Sequence, residues 1–278
     1  MRTKFVDVGG VRTRVLYEGD PKNYPLMLIH GFGGCADNFI RNIDALADEF
    51  YVVAPDMIGH GFTAAASFDG KPPHPIHVGH LVKLADTLGF KNFCPCGSSY
   101  GALIATLVYF ERPKQVDKLI INGSGSCFNS EEELAAALKG AKQNALTAMR
   151  DATLESVRKR SGNIVYDPKS VPEEILLVQL TSYAFPHMIP SYEEAMNGMM
   201  DIPASRPYRI LERLDQIKVD TLLCWGREDP RGVYARAVEA VKKMPKARLE
   251  TFEKCGHLPF LEHPEQWNRA VRTFLQQR

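Results

Sequence analysis

The pentapeptide Gly97-Ser98-Ser99-Tyr100-Gly101 stands between a short strand-like run, residues 93–97, and the apolar run Ala102-Leu103-Ile104-Ala105-Thr106-Leu107-Val108-Tyr109-Phe110. A helix with almost no polar face is a buried helix. The G-x-S-x-G spacing puts Ser99 on a strained strand-to-helix turn with its hydroxyl exposed. Glycines two before and two after remove side chains that would collide where the backbone doubles back. A turn of small residues would carry the same letters. The strand before and the buried helix after are what point to a nucleophile.

Two later segments end in the same way. Thr221-Leu222-Leu223-Cys224-Trp225-Gly226 reads as a buried strand emptying into Arg227-Glu228-Asp229-Pro230, which makes Asp229 an acid candidate and the adjacent Glu228 its rival. Arg248-Leu249-Glu250-Thr251-Phe252 reads as the next strand, and it empties into Lys254-Cys255-Gly256-His257. Reactive groups of open parallel sheets gather outside the carboxyl ends of the strands, so Ser99, Asp229 and His257 can converge. Taken alone, His257 could be a core or capping histidine. His263, beside Pro264 at the start of a helix, reads as structural.

With those residues in that chain order, the sequence resembles the α/β-hydrolase superfamily over nearly its full length. The resemblance implies a mostly parallel, eight-stranded sheet flanked by helices, with an inserted helical cap. Residues 1–125 and 206–278 would form the core domain and 126–205 the cap. His30-Gly31-Phe32-Gly33-Gly34 follows the apolar strand Leu26-Met27-Leu28-Ile29, where this family carries an oxyanion loop. The Phe32 and Tyr100 backbone N–H groups would then form the oxyanion hole. A phosphate cradle is the other reading of such a loop, but the chain has no GxxxxGK[ST] motif and no evident acidic ribose partner. Asp56-Met57-Ile58-Gly59-His60-Gly61 is also similar to the family and reads as a structural turn.

Strand and helix patterns alternate along the chain: a β-hairpin over Phe5–Tyr17, strands near 25–30, 51–55, 93–97 and 118–122, and helices near 37–48, 76–88 and 100–111. That is the βα alternation of a parallel sheet. Near 126–205 strands vanish, and Glu131–Arg160 and Pro172–Tyr183 read as helical. Strands resume near 220 and 248, and a last helix opens at Pro264 with Trp267, Val271, Phe274 and Leu275 on one face. Pro95 is out of place in a central strand, because proline cannot donate to the ladder.

The 278 residues carry 34 Lys and Arg against 33 Asp and Glu, with no basic stripe, so nucleic acid and anionic membranes are not expected partners. No run of apolar residues is long enough for a membrane span and no signal-like segment opens the chain. A cytoplasmic location is therefore expected, with a homodimer as one conceivable assembly. The six cysteines are dispersed and read as reduced thiols. Cys94-Pro95-Cys96 has neither redox nor zinc spacing, so neither a metal nor a cofactor is expected.

The chemistry of the three residues is nucleophilic: neutral His257 takes the proton of Ser99, and Asp229 fixes the imidazole tautomer and stabilises the imidazolium. The partner is a small molecule. Residues 164–175, Ile164-Val165-Tyr166-Asp167-Pro168-Lys169-Ser170-Val171-Pro172-Glu173-Glu174-Ile175, are similar to the cap of the meta-cleavage-product hydrolases, which split carbon–carbon bonds of ring-opened aromatic dienoates. Three positions depart from them: Gln179 replaces the arginine that holds the dienoate carboxylate, Leu258 replaces the aromatic residue after the histidine, and Ser98 replaces an asparagine. Gln179 and Leu258 are the expected substrate contacts. Met188, Ile189, Tyr192, Met196, Met199 and Met200 read either as an adaptable apolar pocket or as core. Without a cation at 179 the expected substrate is a largely apolar carboxylic ester, cleaved through an acyl-enzyme. Hydrolysis of a C–C bond beside a ketone is the alternative, and a cation from Arg158 or Arg160 would favour it. A ligand receptor, or a cofactor-free lyase or oxygenase, are further readings.

Overall fold

The computed structural model describes residues 1–277. Eight strands form one sheet: β1 (Arg2–Val8), β2 (Val11–Glu18), β3 (Tyr24–Ile29), β4 (Phe50–Pro55), β5 (Cys94–Ser98), β6 (Lys118–Asn122), β7 (Asp220–Gly226) and β8 (Ala247–Phe252). Their order is β1-β2-β4-β3-β5-β6-β7-β8, antiparallel across the first two pairings and parallel thereafter. A parallel sheet hides both faces, and β3 records this with period two. Met27 and Ile29 enter one apolar cluster, whereas Leu26 and Leu28 enter the other.

Helices α1 (Ile43–Leu46), α2 (His74–Thr87) and α3 (Tyr100–Glu111) fall between strands of the first half. Between β6 and β7 every element is helical: α4 (Gly125–Phe128), α5 (Glu131–Asp151), α6 (Leu154–Gly162), α7 (Glu173–Tyr183), α8 (Met188–Met200) and α9 (Ile202–Ser205), joined by short 3-10 turns. After β7 come α10 (Tyr234–Lys243), α11 (Pro259–Glu262) and α12 (Pro264–Gln276). The first nine residues of α3 after Tyr100 are buried as far as Tyr109, and α12 turns Trp267, Val271, Phe274 and Leu275 inward. No helix among the described residues is long and apolar enough to cross a membrane. All six cysteines are buried, and none is paired among the described residues.

Three expectations change. The helix near 37–48 is broken into a 3-10 turn, Ala36–Phe39, and the single turn α1. Its buried polar residues are claimed from outside: Asp37 by Arg14, and Asn42 Nδ2 by Phe260 O and Asn268 Oδ1. The helix over Glu131–Arg160 is two helices, divided where Ala152 takes a left-handed conformation (φ 48°) and Thr153 caps α6 by accepting the Ser156 N–H. Pro95 lies within β5, but at a slip in register. Phe93 faces Val116 while Cys96 faces Ile120, so β6 carries one more residue than β5 across that interval. Phe93 N–H donates to Gln115 O and Ser99 N–H to Asn122 O, so the proline nitrogen faces the side on which the register slips.

Candidate active site

The turn at Ser99 is a backbone constraint before it is a chemical group. Ser99 has φ 55° and ψ −121°, off the regions that L-residues occupy freely. A Cβ on Gly97 would lie 2.1 Å from Gly101 O, and one on Gly101 would lie 2.3 Å from His30 O. Both glycines are therefore sterically required. Ser99 N–H donates to Asn122 O at 2.9 Å, and Ser124 Oγ donates to Ser99 O at 2.6 Å, which holds the strained residue from the β6 side.

Asp229 and His257 meet above the ends of β7 and β8. His257 Nδ1 donates to the Asp229 carboxylate, with Oδ1 at 2.8 Å and Oδ2 at 2.9 Å. Oδ1 also accepts the Arg231 and Gly232 N–H groups at 2.7 and 2.9 Å. The Asp229 side chain is fully buried and His257 nearly so. Gly123, at φ 42°, makes room for the pair: a Cβ there would lie 2.7 Å from His257 O and 3.0 Å from Asp229 Oδ2. Glu228 turns the other way, its Oε2 accepting the Cys255 N–H at 2.9 Å. Ser99 and His257 line one cavity, and no hydrogen bond joins Ser99 Oγ to His257. In unliganded sites such bonds are commonly long and tighten only around a substrate.

Gly31 packs against Ser99, close enough that a Cβ there would come within 3.2 Å of the Ser99 Cβ. Tyr100 opens α3, where helix N–H groups have no intrahelical acceptor, and Phe32 lies in the loop after β3. Among the described residues neither N–H has a protein acceptor. Two amides beside an elbow serine can stabilise an oxyanion. Behind them stands a wall of buried histidines. His30 Nε2 accepts the Met57 N–H, and the Phe32 ring centroid lies 4.8 Å from that of His60 and 5.3 Å from that of Tyr100. His77 donates from Nε2 to Ile58 O and accepts the Tyr100 O–H at Nδ1, 2.9 Å away. Burial pushes His30 and His80 down to about 4 and His60 and His74 down to about 3, so these rings are neutral.

The inserted helices close the cavity. Gln179 and Leu258 both line it; Gln179 Nε2 is turned to Ser182 Oγ on its own helix at 3.1 Å. Ile164, Ile175, Tyr192, Met196 and Met199 add apolar wall, the last three being core residues as well, whereas Met188 is buried in the core away from the cavity and Ile189 and Met200 are half-buried against it. Asp56 is structural, accepting the Ala36 and Phe62 N–H groups and pairing with Arg14. His263 contacts Lys254 O, outside the site. Arg158 points away, paired with Glu173, while Arg160 lines the cavity.

Sequence reasoning missed two contributors. Arg231, two residues after Asp229, also lines the cavity. Glu262 clamps the loop of His257: its Oε2 accepts the Gly256 N–H at 2.9 Å and its Oε1 accepts the Leu258 N–H at 3.0 Å. The same Oε2 accepts the Tyr166 N–H at 2.7 Å, and His257 N–H donates to Ile164 O at 2.8 Å. A glutamate five residues beyond a candidate histidine was the available signal.

Residues 24–264 match the family described as alpha/beta hydrolase fold. The chain belongs to that family. This α/β hydrolase is 31% identical to the 2-hydroxy-6-oxononadienedioate/2-hydroxy-6-oxononatrienedioate hydrolase of Burkholderia vietnamiensis, over 98% of this chain and 95% of that protein. It is 30% identical to the protein of the same name from Paraburkholderia phymatum, over 99% of this chain and 96% of the relative. The solved structure of a 2-hydroxy-6-oxo-6-phenylhexa-2,4-dienoate hydrolase from a Rhodococcus species shares the fold, with a TM-score of 0.84 over 99% of both chains at 24% identity. The relatives overturn the expected carboxylic ester substrate, since they are named as hydrolases of 2-hydroxy-6-oxononadienedioate and 2-hydroxy-6-oxononatrienedioate. Judging the pocket's charge from position 179 alone produced the ester reading, and the cavity of this α/β hydrolase contains two arginines.

Proposed function

We propose that this protein hydrolyses a carbon–carbon bond beside the ketone of a ring-opened hydroxy-oxo-dienoate, with Ser99, His257 and Asp229 as the catalytic residues and segment 126–205 as the cap over them. The observation that carries this reading is the gathering, in one cavity, of an elbow serine, a histidine bound to a buried aspartate and two amides without acceptors, in a chain with relatives so named along almost its whole length.

A C–C bond breaks heterolytically only if the departing carbon can hold the electron pair, and a conjugated dienoate in its keto form delocalises it. Ser99 Oγ adds to the ketone carbon as His257 takes the hydroxyl proton, and the Phe32 and Tyr100 N–H groups bind the oxyanion. Each such donor is worth about 2.7–4 kcal/mol in comparable acyl transfers. Collapse breaks the C–C bond and returns the proton from His257 to the leaving carbon, leaving an ester on Ser99. Water, deprotonated by His257, then releases a carboxylic acid. Asp229 keeps the Nδ1–H tautomer throughout, so that Nε2 faces the reacting atoms.

The test is to supply a synthetic hydroxy-oxo-dienoate and follow bleaching of its dienol absorbance, with mass spectrometry of the two products. Cleavage to a carboxylic acid and a shorter hydroxydienoate, lost in Ser99→Ala, is expected. An intact dienoate after prolonged incubation overturns the reading.

A further inference from the structure

The cavity that holds Ser99 contains two guanidinium groups and no carboxylate to match them. Arg160 comes from α6 and Arg231 from the loop after β7, and both line the inner cavity and an outer cleft beside it. The pair therefore stands at the boundary between the two. Arg160 Nη2 reaches only Gly33 O, at 3.5 Å, and its Nε is buried without a partner. Its guanidinium lies 5.5 Å from the centre of the Tyr183 ring. Arg231 spends one N–H on Ala137 O, at 3.3 Å.

Among the described residues neither arginine forms an ion pair, although exposed neighbours do: Arg158 pairs with Glu173 and Arg150 with Glu193. Asp151 and Glu155 line the outer cleft with Lys159, without pairing to either arginine. The Asp229 carboxylate is already divided between His257 and backbone N–H groups, and Gln179 brings no charge. Burial and the neighbouring Arg160 charge both lower the Arg231 pKa from its ordinary value. Removing two like charges from water without a counter-ion is costly, and the cost is recovered when an anion enters. Guanidinium forks suit a carboxylate because they offer paired, parallel donors.

We infer that Arg160 and Arg231 together form the carboxylate-binding site of the substrate cavity. The inference rests on the proposal that this cavity takes a dienoate, and it names the residues that select an acid over a neutral substrate. Gln179 is not the anion contact.

The experiment measures equilibrium binding by calorimetry of sorbate, a linear conjugated dienoate, and of its neutral amide sorbamide. The proteins are the wild type and the Arg160→Met, Arg231→Met and Arg158→Met variants. Sorbate is expected to bind at least tenfold more tightly than sorbamide to the wild type. Each cavity variant should lose at least tenfold for sorbate and less than twofold for sorbamide, and Arg158→Met should lose neither. Arg160→Lys and Arg231→Lys keep a charge and should fall between, which keeps the test decisive if a methionine variant folds poorly. Equal binding of acid and amide, equal losses for both ligands, or no binding of either overturns the inference. Selective sorbate binding by a protein that leaves a hydroxy-oxo-dienoate uncleaved would leave the anion site standing and remove the proposed reaction instead.

Discussion

Asp229 and Glu228 are adjacent in one loop and face opposite ways: both Asp229 oxygens lie within 2.9 Å of His257 Nδ1, while Glu228 holds the Cys255 N–H at 2.9 Å. The two carboxylates are alike in chemistry, and backbone direction alone decides which can orient the imidazole. Asp229→Asn should lower kcat by roughly 10⁴-fold, the scale found when an orienting carboxylate is made neutral. Glu228→Gln keeps an oxygen for the Cys255 N–H and should cost less than tenfold. Steady-state kinetics on a hydroxy-oxo-dienoate decides the order, and a reversed order would move the acid role to Glu228.

Glu262 touches neither Ser99 nor the imidazole, and it binds N–H groups on both sides of His257. Glu262→Gln gives an amide whose NH₂ cannot accept, so at least one buried N–H loses its partner, at about 1–3 kcal/mol. A lower urea midpoint together with a fall in kcat larger than any rise in KM is expected. Unchanged kcat in a destabilised protein would reduce Glu262 to a structural brace.

Gly123→Ala adds a methyl at a positive φ, against both partners of the Asp229-His257 pair. Ordinary β-carbons do not approach so closely, so the pair must move. The variant should retain far-UV circular dichroism and lose at least tenfold in kcat. Full activity would show that the loop relaxes without disturbing the pair.

The histidine wall makes stability depend on pH. Burial lowers His30 and His80 to about 4 and His60 and His74 to about 3, while in the unfolded chain they titrate near 6.5. Below that value the unfolded state binds protons that the native state refuses, so stability is full at neutral pH and falls as pH drops from about 6.5 toward about 4. Each ring contributes about 1.4 kcal/mol per pH unit in that window. Urea unfolding at pH 7.5 and 5.5 should show the loss, and His80→Asn should make it smaller. A midpoint independent of pH would mean that these rings charge in place.

What the sequence made legible was local. The elbow could be read from five letters because the clash that Gly97 avoids is with Gly101, four residues on, whereas the clash that Gly101 avoids is with His30 O of a distant strand end. β6 and α3 match their expected spans, and the strand expected at 93–97 is β5 shifted by one residue. The break at Ala152 was missed because alanine gives no sign of a left-handed turn, although Thr153 and Ser156 had capping spacing. The charge of the cavity was illegible for another reason: Arg160 and Arg231 are far apart in the chain and meet only when α6 is folded over the end of β7. A single aligned position could not report it.

The Tyr166 N–H and the two amides flanking His257 share one carboxylate, while the His257 N–H is held by Ile164 O. The segment 164–166 and the loop of His257 are thus one hydrogen-bonded unit. Lifting that edge of the insertion would break two hydrogen bonds to the loop, Tyr166 N–H to Glu262 and His257 N–H to Ile164 O, while Gly256 and Leu258 would stay bound to Glu262. Under the proposed mechanism, a displacement of segment 164–166 removes hydrogen bonds that hold the loop of the base, so this edge of the insertion and the position of His257 are coupled.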